Sequence, residues 1–346
     1  MRAPLATRFV VQTKTNSMRR RLVVVLFAAR ALALSETLLS AMSAAVGESR
    51  GDASVRLAPA VSRARGGGGG ADVGVVEDRV SGARYFTKIA PRSKLGMLAA
   101  EHAGVAAIAA TRTVRVPAPV AVGATATQAF LVLEELAPLS TDKRAVAREL
   151  AVSLARMHSH TSACGRFGFE LDNTIGETPQ PNAWAASWSE FFVERRLAHM
   201  FALCRRVGGV FRGEAALLDR ARAMLAAHEP APSLCHGDLW SGNAGCLEGE
   251  GRACVFDPAA YYGDREVDIA MSRLFGSFPD AFYASYEAEA PLAPGHEARR
   301  DLYDLYHMLN HYVLFGGSYR EQAQRLIDRV LGLSPQEEED VWDEDL

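Results

Sequence analysis

The segment His236-Gly-Asp-Leu-Trp-Ser-Gly-Asn243 is followed fourteen residues later by Asp257, within Val255-Phe-Asp-Pro258. These side chains suit one kind of chemistry. Phosphoryl transfer asks a protein for a carboxylate that accepts the proton of an attacking hydroxyl, and for an amide and a second carboxylate that hold Mg²⁺ against a triphosphate. Asp238 fits the base, while Asn243 and Asp257 supply the hard oxygen donors that Mg²⁺ prefers. A lone His-Gly-Asp is a weak signal. An Asn five residues after the Asp, with a further Asp at the end of an apolar strand, is a specific one.

The triphosphate must also be held from the opposite side, and the first half of the chain offers the parts. Lys88 lies in the strand-like Tyr85-Phe-Thr-Lys-Ile89, where its neighbours should be buried, so a phosphate-binding role outweighs that of a solvated surface charge. Such a lysine needs a carboxylate partner. Glu101, on the predicted helix Leu95 to Ala110, is preferred in that role over an ordinary helix-surface charge. A five-glycine run, Gly66 to Gly70, precedes predicted strands Val73 to Glu77 and Ala83 to Ala90. Taken alone it reads as a flexible linker. Ahead of a strand bearing a lysine, Gly68, Gly69 and Gly70 become a loop whose bare amides approach phosphate oxygens. Ala129 to Leu133 has strand length and runs into a hinge at Glu134 and Leu136, whose backbone is placed to hydrogen-bond an adenine. Lys143 to His158 then carries Val146, Leu150, Leu154 and Met157 at helical spacing.

Strands and one helix therefore come first and helices afterwards, with a strand pair around the catalytic loop. This predicts an α+β protein: an N-lobe over residues 36–136 and a C-lobe over residues 137–333. The 346 residues are 49% hydrophobic, enough for a sizeable core, and the net charge of −3 gives no reason to expect nucleic-acid binding. Five scattered cysteines without a C-x-x-C pair read as reduced thiols. Residues 1–35 contain seven Arg or Lys and no acid, like an organelle transit peptide, and predict a plastid or mitochondrial protein with a cytoplasmic one as the alternative. Their apolar run, Leu22 to Leu34, is broken by Arg30 and too short to span a membrane. Residues 334–346 form an acidic tail.

Taken together, these features resemble the fructosamine kinases, or ketosamine 3-kinases. The resemblance covers about Thr37 to Leu333. It rests on Thr113-Val-Arg-Val-Pro117, Gly168-Phe-Glu-Leu-Asp-Asn-Thr-Ile-Gly176 with Thr178-Pro-Gln180, the His236–Asn243 loop, Phe256-Asp-Pro-Ala259 with Tyr261-Tyr-Gly263, and Leu305-Tyr-His-Met-Leu-Asn-His311. The catalytic loop is shared with aminoglycoside phosphotransferases and choline kinases; the other segments are narrower.

The resemblance implies a bilobal protein-kinase-like fold and use of ATP and Mg²⁺. It also implies phosphorylation of the 3-hydroxyl of ketoamines, on small amines and glycated proteins, which destabilises the adduct and releases the amine. In that frame Asp238 is the base and Asn243 and Asp257 bind Mg²⁺. Lys88 contacts ATP phosphates with Glu101 as partner, and Asp268 braces the catalytic loop. Plant members carry a glycine-loop cysteine that can link two subunits. That position is Ala71 here, so the redox-switched dimer does not transfer and the oligomeric state stays open. No arginine precedes Asp238, which implies a site assembled without activation-loop phosphorylation.

On the substrate side, Trp240 offers an aromatic face to a ketoamine, or else packs in the core. Tyr303, His307, Asn310 and His311 recur at three- and four-residue steps, so most share a helix face that binds sugar hydroxyls or forms a buried polar network; His311 is the foremost candidate. Met97 and Met157 read as core, and His158 and His160 as surface or capping residues. The competing functions are a kinase of another small hydroxylated or amino compound, such as choline or an aminoglycoside, and a catalytically dead nucleotide-binding module.

Overall fold

A computed structural model describes residues 34–60, 70–140, 142–248 and 250–333. The chain opens with helix α1 (Glu36–Arg50) and strands β1 (Leu57–Pro59), β2 (Asp72–Asp78) and β3 (Arg84–Pro91). Helix α2 (Leu95–Thr111) and strands β4 (Pro119–Ala124) and β5 (Gln128–Glu134) complete the first lobe. Its five strands form one antiparallel sheet in the order β1-β2-β3-β5-β4. Both faces of the sheet are covered, so its central strands are apolar on both sides. Tyr85 and Ile89 of β3, with Phe130 and Val132 of β5, pack under Leu38, Met42 and Val46 of α1. Ala90, Ala129, Leu131 and Leu133 face the other way, toward α2. Side chains alternate along a strand, so Lys88 falls on the α2 side with Ala90, opposite Leu131 in register.

The second lobe begins with β6 (Leu139–Ser140), α3 (Ala147–His158), the hairpin β7 (Asn173–Ile175) and β8 (Thr178–Gln180), and α4 (Trp188–Phe192). It continues through α5 (His199–Arg206), α6 (Glu214–Ala226), β9 (Ser233–Cys235), β10 (Ala244–Leu247), β11 (Arg252–Val255) and β12 (Tyr261–Gly263). Helices α7 (Glu266–Leu274), α8 (Asp280–Glu289), α9 (His296–Phe315) and α10 (Tyr319–Leu331) close it. A π-helical turn over Val193–Ala198 joins α4 to α5. In it the buried Arg196 guanidinium lies between the Phe191 and Tyr261 rings, 4.5 and 4.3 Å from their centroids, and donates to Pro181 O and Asn182 Oδ1.

Several boundaries differ from the sequence expectation for local reasons. Helix α1, expected from the sequence over Glu36 to about Val46, runs one turn further, to a left-handed cap at Gly51. Helix α3 starts at Ala147 rather than Lys143, because Asp142 accepts from the Arg144 amide and guanidinium and holds a turn there. Strand β1 was not expected. Among the described residues no helix is long and apolar enough to cross a membrane. None of the five cysteines is disulfide-bonded. The leader, Gly68, Gly69 and the acidic tail lie outside the described residues.

Candidate active site

Asp238 sits in the loop between β9 and the 3₁₀ turn Ser241–Asn243. The loop's shape depends on Gly237, which has φ +80° and whose added Cβ would strike the Ala259 carbonyl. No other residue combines that conformation with that space. The backbone amides of His236 and Gly237 donate to the two oxygens of Asp268, at 2.6 and 2.8 Å. His158 Nε2 completes the shell of this buried carboxylate at 3.0 Å, and its Nδ1 meets Tyr286 Oη at 2.6 Å. Desolvation opposes ionisation of Asp268, but the donors outweigh it and hold its pKa below the ordinary carboxylate value. His158 is therefore neither a surface nor a capping residue: it is buried and braces the brace. Its place on the Leu150, Ala151 and Leu154 stripe of α3 was the available signal.

His236 links the loop to the next strand. Its Nε2 lies 3.1 Å from Phe256 O, which can only accept, so Nδ1 accepts from the Asp238 amide at 3.3 Å. Asn243 Nδ2 donates to both Asp238 O and Asp238 Oδ2 at 2.9 Å. Asp238 is half-buried. Desolvation pushes its pKa up to about 7; the Asn243 bond opposes this, and the charges of Asp257 and Asp268 add to it.

Across the cleft, Lys88 Nζ lies 2.7 Å from Glu101 Oε1 and 3.0 Å from Asp257 Oδ1. Burial pulls the ammonium pKa down, but the two carboxylates outweigh it and hold it above the ordinary lysine value. Asp257 has φ +56°, a conformation rare outside glycine that turns its carboxylate away from the strand toward Lys88. The arrangement suits Mg²⁺. Asn243 spends its amide protons on Asp238, leaving its oxygen as a donor atom, and Asp257 keeps a second oxygen beyond the one bonded to Lys88.

The remaining candidates fall into place unevenly. Glu134 pairs through its side chain with Arg115, accepts from the Ala118 amide, and donates its own amide to Ala118 O; Leu136 lies half-buried just beyond. Gly70 has φ +61° and abuts the Glu177 carboxylate, which also holds Lys94 at 2.5 Å. The β7–β8 turn thus touches the first lobe through Glu177, a residue that sequence reasoning missed because the contact spans 107 positions. Trp240 is 38% exposed with its ring over Gly242, so it does not belong to the core. Tyr303 is buried and committed to Asp264 Oδ2 and Trp188 Nε1. His307 and Asn310 are buried too, whereas His311 is only partly so.

His228, Asp264 and Glu266 form a second cluster of metal-binding residue types. Arg299 takes both oxygens of Glu266 at 2.7 Å, and His228 and Tyr303 bond Asp264 at 2.8 and 2.6 Å. This network anchors the start of α7, the helix that carries Asp268.

Comparison with known proteins gives a consistent picture. The profile of the fructosamine kinase family matches residues 59–333. A probable ketoamine kinase of Synechocystis sp. is 44% identical over 248 residues, covering 72% of this chain and 83% of that protein. The chloroplastic protein-ribulosamine 3-kinase of Arabidopsis thaliana is 38% identical over 254 residues, covering 71% and 76%. The crystal structure of a putative fructosamine-3-kinase from Haemophilus somnus superimposes with a TM-score of 0.76 at 31% identity, over 84% of this chain and 96% of that one. An aminoglycoside phosphotransferase, at 16% identity and a TM-score of 0.55, shares the fold.

Proposed function

The chain belongs to the fructosamine kinase family, and from that premise we propose that it transfers the γ-phosphoryl group of ATP to the 3-hydroxyl of ketoamines. The acceptors are ribulosamine or fructosamine adducts of small amines and of proteins, and the 3-phosphate destabilises the adduct so that the amine is freed. The observation that carries this reading is the Glu101–Lys88–Asp257 ion chain set opposite the Asp238–Asn243 pair.

Asp238 takes the hydroxyl proton as the oxygen–phosphorus bond forms and ADP departs. A carboxyl with a pKa of about 7 accepts that proton more readily than an ordinary carboxylate. Lys88 steadies the phosphates, and Glu101 fixes Lys88. Asn243 and Asp257 hold Mg²⁺, which when bound neutralises charge on the phosphates. Gly68, Gly69 and Gly70 cover the nucleotide, the backbone at Glu134 and Leu136 receives the adenine, and Trp240 and His311 line the acceptor site. We divide the lobes at residue 136. The acid-free leader supports delivery to a plastid or mitochondrion, as does the chloroplastic designation of the Arabidopsis relative.

The test is incubation of the protein with Mg·ATP and ribulosamine, fructosamine, choline and aminoglycoside acceptors. The expected result is transfer to the ketoamines. Transfer only to choline or an aminoglycoside would overturn the substrate class, and nucleotide binding without turnover on any acceptor would point to a dead module.

A further inference from the structure

A cavity of about 700 Å³ opens in the second lobe, between the first turn of α4, the last turn of α6 and the loop His228 to Pro230. None of Lys88, Asp238, Asn243 and Asp257 lines it. Its volume suits an organic ligand. Phe167, Trp188 and Leu225 give it a buried apolar surface, and Glu190, Glu194, Glu229 and Arg222 are its exposed charged residues. Most side-chain donors of the wall are already engaged. Trp188 Nε1 donates to Tyr303 Oη at 3.0 Å and Ser189 Oγ to Arg222 O at 3.3 Å. The Arg222 guanidinium reaches Glu194 and Asp219 at 2.8 and 2.9 Å.

Acceptors, by contrast, are left over. His228 lines the same cavity with its side chain only 10% exposed. Its Nε2 lies 2.8 Å from Asp264 Oδ2, a buried oxygen that also takes the Tyr303 hydroxyl. Nε2 therefore bears the proton, and Nδ1 keeps a lone pair with no hydrogen-bond partner among the described residues. Three carboxylates, against one guanidinium already paired with two acids, make the mouth negative. This surface is matched by a ligand that donates hydrogen bonds and carries positive charge. It does not match a bare metal ion: His228, Asp264 and Glu266 converge, but Arg299 takes both Glu266 oxygens and Tyr303 bonds Asp264. We propose that the cavity binds an organic ammonium ion. Its N–H groups reach His228 Nδ1 and the Glu190 and Glu229 carboxylates, and its apolar body rests against Phe167, Trp188 and Leu225. Asp264 joins His228 to the start of α7, so the site adjoins the brace of the catalytic loop without containing the reacting groups.

The test titrates the protein with phenylbutylammonium, phenylbutanol and phenylbutyrate, which share a body and differ in charge. Binding is read by calorimetry and by the imidazole nitrogen NMR signal of His228. A hydrogen bond from a charged donor predicts that the ammonium binds more tightly than the alcohol by about ten- to a hundredfold, with the butyrate weakest. The His228 signal should move as the ammonium is added. His228→Phe keeps a ring and lacks the lone pair, so the preference for ammonium over alcohol should fall to within about threefold. Glu190→Gln combined with Glu229→Gln, at exposed positions, should weaken the ammonium by about fivefold at low salt and leave the alcohol unchanged. Absence of saturable binding, equal affinity for ammonium and alcohol, or tighter binding of the butyrate would overturn the proposal. So would an ammonium preference undiminished in His228→Phe or in the paired glutamine variant. The wild-type series and the glutamine variant decide the matter even if His228→Phe does not fold.

Discussion

Gly237→Ala should separate catalysis from nucleotide binding. In the native loop an added Cβ would lie 2.8 Å from the Ala259 carbonyl carbon, and closer still to its oxygen. Carbon atoms rest at about 3.5 Å or more, so the loop must move by about 1 Å to admit the methyl group. Holding alanine at φ +80° costs about 1–2 kcal/mol besides. The displaced residue precedes Asp238, and a misplacement of about 1 Å at a reacting group lowers turnover about 10²-fold. Lys88 and Glu101 stand on the other lobe and stay where they are, so nucleotide affinity should change by less than about threefold. The assay is steady-state phosphorylation of a ketoamine, beside ADP titration and urea unfolding. Turnover within threefold of wild type would refute the geometric reasoning, and so would a loss of nucleotide affinity as large as the loss of turnover.

Asp268→Asn turns one acceptor of three charge-assisted bonds into a donor facing N–H groups. It should cost about 3 kcal/mol or more in urea unfolding; a cost below 1 kcal/mol would show that the loop is held by other contacts. Asp78, which accepts from the Arg56, Val80 and Ser81 amides, has its carboxyl held at about 2 against an ordinary 3.8, chiefly by the Arg56 amide. A depressed carboxylate stabilises the fold above its unfolded pKa and loses that effect as pH falls through the folded one. The melting-temperature gap between wild type and Asp78→Asn should therefore be full above pH 4 and close toward pH 2; a pH-independent gap would contradict this. A fluorescent reporter fused to residues 1–36 should collect in a plastid or mitochondrion, and a diffuse cytosolic signal would rule that out.

What could be read from the sequence follows the range of each contact. Asp238 and Asn243 share one tight loop, so their types and spacing already fix their relation, and Asp257 lies at the end of the adjoining strand pair. The side of the sheet that Lys88 occupies follows from strand alternation. Its meeting with Glu101 needed only a helix packed on that face. His158 was misread as a surface or capping residue, and Glu177 and Arg196 escaped notice, because partners of all three lie far along the chain, at Asp268, Gly70 and Tyr261. Helical periodicity marks His158 as inward-facing, but only the folded chain shows that a carboxylate waits there. The α9 set was legible as a face and not as roles. Tyr303 turned inward to Asp264, while His311 is partly buried with its ring stacked on Phe275.

The central claim is that Asp238 accepts the proton of the hydroxyl that attacks ATP. The most direct measurement is turnover of Asp238→Asn with Mg·ATP and a ribulosamine, beside its affinity for ATP. Loss of a positioned general base predicts a fall of about 10²–10⁴-fold in kcat with ATP binding nearly intact. Wild-type turnover in that variant would contradict the account and move the base elsewhere.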